Sequence, residues 1–136
     1  MRGREFLELA REIVGRGAER HWRAGHIHAY YALLLEARET VIRWGVPPPP
    51  HHTVHASVRL KFTYATDPDC VKIGYTLDHL SQRRHWASYV LGTHRGFASE
   101  TFARRSIQEA ADALARLDAL DADPARRAAA VAGLPP

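Results

Sequence analysis

Apolar positions recur at helical spacing along most of the chain. From Arg4 to about Gly15, Phe6, Leu9, Ala10 and Ile13 share one helical face, and Glu5, Glu8, Arg11 and Glu12 cover the other. Gly15-Arg16-Gly17 ends that helix, since glycine is a poor helix former. A second helix is predicted from about Ala18 to Trp44. Its seam, Ile27, Tyr30, Leu34, Ala37, Val41 and Trp44, is spaced by threes and fours, and Ala24, Tyr31, Leu35 and Ile42 broaden it towards more than one neighbour. Gly45 and Pro47–Pro50 stop the helix, because proline lacks an amide hydrogen and clashes with a continuing turn. The proline run reads as a stiff spacer between helices rather than a polyproline recognition segment.

Thr53–Tyr64 carries two patterns at once. Val54, Ala56, Val58, Leu60, Phe62 and Tyr64 alternate with polar residues as in a strand, whereas Val54, Val58 and Phe62 recur every four residues as in a helix. A strand must find a pairing partner, and no other segment reads as one, so the expectation is a helix. Asp67-Pro68-Asp69 marks a turn. A fourth helix follows from Val71 to about Leu91, with Ile73, Leu77, Leu80, Arg84, Ala87 and Leu91 on its stripe. A fifth runs from near Ser99 to Leu120 on Ala103, Ile107, Ala110, Leu114 and Leu117. Asp123-Pro124 then opens a short Ala/Arg helix before a fraying Gly133–Pro136 end. The expected fold is all-α: an antiparallel up-and-down bundle of four to five helices over residues 1–120, with the second helix central, and a short C-terminal helix and tail over 121–136.

Composition narrows the class without naming a function. At 136 residues the chain is about one domain, and 46% apolar with 25% charged residues is ordinary globular content. No apolar run reaches the roughly 18–20 residues of a membrane span, and the charged start differs from a signal core. With a single cysteine, Cys70, the expectation is a cytoplasmic protein. Net charge is +4. Arginine outnumbers lysine 17 to 2 beside 22 alanines, however, which looks like GC-rich coding, and acidic residues lie among the basic ones. Bulk charge is therefore weak evidence for nucleic-acid binding.

The most informative residue is Arg84, a guanidinium on an otherwise apolar stripe. It must find a partner, reach the bundle edge with its stem buried, or face a ligand. Arg83, His85 and Tyr89 add polar groups on the same turns, and Tyr31 and His28 project from the helix expected to pack opposite. These six residues are the candidate ligand-binding set. Trp22, Trp44, Trp86 and Cys70 read as packing residues. His51, His52 and His55 place two imidazoles one turn apart if a helix starts there, a spacing that can hold a divalent metal. No cysteine or carboxylate lies close by, so neither a metal site nor any other cofactor is expected.

Ala29-Tyr30-Tyr31-Ala32-Leu33 is followed by His55-x-x-Val58-x-x-x-Phe62, then Leu80-x-x-x-Arg84-x-x-Ala87-x-Tyr89 and an Ala-rich closing helix. This order of short motifs resembles the HEPN families of prokaryotic helical domains. The resemblance spans residues 18–120 and implies a helical bundle that is commonly dimeric. It places a second copy, RNA or a nucleotide, and an antitoxin or nucleotidyltransferase protein among the expected partners. Catalytic members of the family are metal-independent RNases with an Arg-x(4–6)-His motif. Three pairs here match it, Arg16–His21, Arg20–His26 and Arg23–His28, about as many as chance supplies in an arginine- and histidine-rich chain. All three lie at the start of the second helix, earlier than in active families, and Ser88 stands where the family's Ala-Asp-Tyr element has aspartate. The expected function is thus a non-catalytic binding module in a toxin–antitoxin or defence setting. The alternatives are a metal-independent ribonuclease and a purely structural interaction domain.

Overall fold

A computed structural model describes all 136 residues as six α-helices without a strand. These are α1 (Gly3–Val14), α2 (Glu19–Arg43), α3 (Val54–Thr63), α4 (Pro68–Tyr89), α5 (Thr101–Ala122) and α6 (Pro124–Ala132), with single 3-10 turns at His51–Thr53 and Arg95–Phe97. None is long and apolar enough to cross a membrane. α2 is the centre of the bundle, packing against α1, α3, α4 and α5.

Residue pairings fix the directions. Gly3 meets Glu36 while Gly25 meets Val14, so α1 and α2 are antiparallel. Arg23 reaches Trp86–Val90, and Tyr30 lies against Arg84, so α2 and α4 are antiparallel as well. Arg83 meets Glu109 and Asp69 meets Arg116, which sets α4 against α5. His26 with Ser106, and Trp44 with Asp121, show α2 and α5 running the same way. The four long helices thus alternate up and down.

α3 is helical, and the four-residue repeat chooses its face. Val58 and Phe62 are buried, while Leu60 and Tyr64 from the alternating pattern are exposed. It runs antiparallel to α4, with Thr63 on Gly74 and Arg59 on Asp78, and therefore in the sense of α2. The segment between α2 and α3 must carry the chain back along the bundle. Prolines suit such a return. Pro50 has polyproline-type angles (φ −57°, ψ 147°), and a chain of that kind advances about 3 Å per residue without internal hydrogen bonds.

Three expectations need correction. In α1 the buried residues are Gly3, Leu7, Ala10 and Val14, with Phe6, Leu9 and Ile13 only half-buried, because the helix lies across both α2 and α5 and turns its face between them. α4 ends at Tyr89, so Leu91 is 77% exposed and leaves the stripe; Arg23 takes the last carbonyls there. The chain end is docked rather than frayed. Asp123 caps α6 through the Ala125 and Arg126 amides, and Arg126 pairs with Asp67 and Asp69. Ala130 is buried, the Thr66 amide donates to the Gly133 carbonyl, and Lys61 donates to the Pro135 carbonyl.

Candidate functional site

Arg84 lies on α4 between the buried Leu80 and Ala87, facing α2. Its guanidinium carbon is 5.2 Å from the Tyr30 ring centre and 5.9 Å from that of Tyr31, within cation–π range. No carboxylate pairs with it. Eight of the seventeen arginines make no ion pair, and Arg84 alone among them has a buried guanidinium nitrogen, Nε, without a hydrogen-bond partner. A cation held on two tyrosine faces and left unneutralised is suited to receive an anion.

His55 completes the group from α3. The Tyr30 hydroxyl, 2% exposed as a residue, lies 2.6 Å from His55 Nδ1. Burial raises the Tyr30 pKa, so the phenol keeps its proton and donates it to the imidazole. His55 is held below the ordinary imidazole value, first by burial and then by the charges of Arg84 and Arg59. Arg59 is only loosely compensated, 3.8 Å from Asp78. Tyr31 extends the aromatic surface: its ring is 5.9 Å from His55 and 6.3 Å from Phe6, and Phe6 stacks on His28 at 5.7 Å. Burial lowers the His28 pKa, and its Nδ1 has no partner.

Arg83 belongs elsewhere. Adjacent helical residues point about 100° apart, and Arg83 turns to α5, where it binds Glu109 and donates to Ser106 Oγ at 3.1 Å while covering the Phe102 ring. Ser106 lies 2.7 Å from Nδ1 of His26, which is completely buried between Phe97 and Phe102. The serine oxygen accepts from Arg83, and we assign its hydrogen to His26 Nδ1, which puts the hydrogen of the neutral imidazole on Nε2, a buried nitrogen with no partner. Burial, followed by the charges of Arg83 and His94, pushes the His26 pKa down to about 4.

The other candidates disperse. Arg23 points its guanidinium at the carbonyls of Trp86, Ala87, Val90 and Gly92, over the Phe97 ring, whereas its sequence partner His28 sits on Phe6. Arg20 is exposed and His26 is interior. Arg16 and His21 are the exception: the Arg16 charge contributes, after burial and Arg20, to lowering the His21 pKa. His85 and Tyr89 form an exposed ring pair at 5.0 Å. His51 and His52 are exposed on the turn before α3, and no three His, Cys, Asp or Glu side chains are grouped to hold a metal ion.

Of the six ligand-binding candidates, Arg84 and Tyr31 are therefore brought together. His28 is linked to them only through Phe6. Sequence reasoning missed Tyr30, His55 and Arg59 as companions of Arg84. Tyr30 read as core, and it is core; its hydroxyl alone carries the polar role. No family model, curated protein or solved structure matches the chain.

Proposed function

We propose that the protein is a non-catalytic, HEPN-like binding module that receives an anionic ligand, RNA or a nucleotide, at the Arg84 face and works in company with a second copy or a partner protein of a toxin–antitoxin or defence system. The observation that carries this reading is the Arg84 guanidinium, inward-facing, seated on Tyr30 and Tyr31, and paired with no acid. Further support comes from where the motifs meet. Tyr30, His55 and Arg84 each come from a different one of the short motifs that carry the family resemblance, and they form one contact group.

The test is binding of a short single-stranded RNA and of AMP to the wild-type protein and to Arg84→Gln. A charge-assisted contact is worth about 1.5–3 kcal/mol, so the variant should bind about tenfold or more weakly while its helical circular dichroism is retained. Equal affinity in both proteins refutes the reading. Loss of helicity in the variant instead makes Arg84 a structural residue.

A ribonuclease reading rests on Arg16 and His21, the one matching pair in which the charge of the arginine is felt at the histidine. It predicts RNA cleavage in EDTA that His21→Ala abolishes. RNA left intact by the wild-type protein under those conditions removes it.

A further inference from the structure

We infer that Arg84, Arg59 and His55 form a cradle for a phosphate group, floored by Tyr30 and Tyr31, in which His55 takes up a proton as the phosphate arrives. This rests on the reading of Arg84 as a ligand-facing residue, and it names the chemistry recognised there and the condition that controls it.

The charges facing His55 are predominantly positive. Arg84 from α4 carries a full charge with no carboxylate beside it, and Arg59 lies one helical turn beyond His55 on α3, with Asp78 of α4 at 3.8 Å as its compensation. From α2 come the phenol of Tyr30 and the half-buried ring of Tyr31, both uncharged. Two guanidinia with one loosely held carboxylate leave an excess of positive charge around an imidazole that burial first, and these charges second, hold below its ordinary value. An oxyanion placed against Arg84 reverses the balance. It offsets the repulsion that adds to burial in disfavouring the protonated ring, and the protonated ring then attracts the anion in return. Linkage makes the two effects equal in size.

The hydrogen-bond geometry allows this proton to enter. In the neutral ring Nδ1 accepts from the Tyr30 hydroxyl at 2.6 Å and the hydrogen sits on Nε2. A proton added at Nδ1 turns this bond around, so that Tyr30 Oη accepts and the phenol hydrogen rotates away from the imidazole. The tyrosine–histidine pair is therefore a two-way switch rather than a fixed strut, and its charged setting offers the incoming anion a second cation. Planar aromatic surface continues from Tyr31 to Phe6 and His28, which suits a phosphate that carries a base.

The experiment is calorimetric titration of the full chain with sulfate, whose charge is constant across the range, and with AMP, adenosine and a short RNA bearing a 5′-hydroxyl, at about pH 5.5 and about pH 8. Sulfate and RNA should bind about three- to tenfold more tightly at the lower pH, with proton uptake revealed by heats that depend on the buffer. Adenosine should bind at least about tenfold more weakly than AMP. AMP binding without RNA binding assigns the cradle to a terminal phosphate, and binding of both assigns it to backbone phosphate as well; each supports the inference. His55→Gln should flatten the pH dependence, whereas His79→Gln, at a position on α4 outside the group, should retain it. Equal wild-type affinity at both pH values, or undiminished pH dependence in His55→Gln, overturns the inference while leaving Arg84 as a binding residue wherever Arg84→Gln fails to bind. Absence of binding by sulfate, AMP and RNA alike overturns the inference and the proposed function together.

Discussion

Lowering the pH from about 7.5 to about 4 should cost the fold about 3 kcal/mol through His26 alone. His26 is fully buried, accepts from Ser106 and titrates near 4, against an ordinary value of 6.5. Above pH 6.5 the ring is neutral in both folded and unfolded chains, and its contribution is fully present. Between 6.5 and 4 the unfolded chain binds the proton and the folded one does not, so stability falls with pH across that window. The same sign applies to His21, His28 and His55, each held below its ordinary value. Asp67, Asp69 and Asp121 also lose stability on acidification, but only below the usual carboxylate range, since arginine hydrogen bonds depress the first two and the Trp44 indole chiefly depresses the third. Urea unfolding at several pH values measures the slope. His26→Asn keeps an acceptor where Nδ1 lies and removes the titration. It should be less stable at neutral pH but should lose clearly less between 6.5 and 4. A slope as steep as that of the wild type rules His26 out as its source.

Gly74→Ala should be the most damaging single-methyl substitution in the chain. A Cβ there would stand 2.5 Å from the Thr63 amide nitrogen and 2.7 Å from both its Cα and its Oγ1. The obstacle is largely backbone, which cannot rotate away as a side chain can. Alanine gains about 1 kcal/mol in helix propensity over glycine, but forcing α3 off α4 costs more, for a net loss of about 2–3 kcal/mol and a melting temperature lower by about 8 °C. Gly92→Ala, where nothing lies within 4 Å of the added methyl, is the control and should be near neutral. Melting curves of the two variants decide the matter; equal curves would show that α3 and α4 have room between them. The contact also bears on the candidate site. It sets how closely α3 approaches α4, and so how His55 and Arg59 stand against Arg84.

The long helices were legible because each buries a stripe wide enough to repeat several times. All five predicted stripe residues of α5 are buried. α3 was legible only through its lack of a strand partner, since its alternation pointed the other way. Arg84 stood out as a charge in an apolar row, a signal that survives without coordinates. Its companions did not stand out. Tyr30 fits the core pattern so well that its hydroxyl goes unnoticed, and His55, 25 residues further on, is marked in the sequence as a metal-ligand candidate and a motif residue but not as a neighbour of Arg84. The separation of Arg83 from Arg84 follows from helical geometry, but which side meets Glu109 and which meets the tyrosines depends on how α2 and α5 flank α4. The buried His26–Ser106 bond spans 80 residues and joins two types common in ordinary surfaces, so no local pattern could announce it.

The back-to-back arginines of α4 have a mechanical consequence. Arg84 is seated on α2 and Arg83 is tethered to α5, so the helix is gripped from two sides at one level, like a spindle between two bearings. Any swivel that loosened one guanidinium would drag the other off Ser106 and Glu109. Under the proposed function, a molecule bound at the Arg84 seat would therefore bear on the Arg83 anchorage to α5 as well.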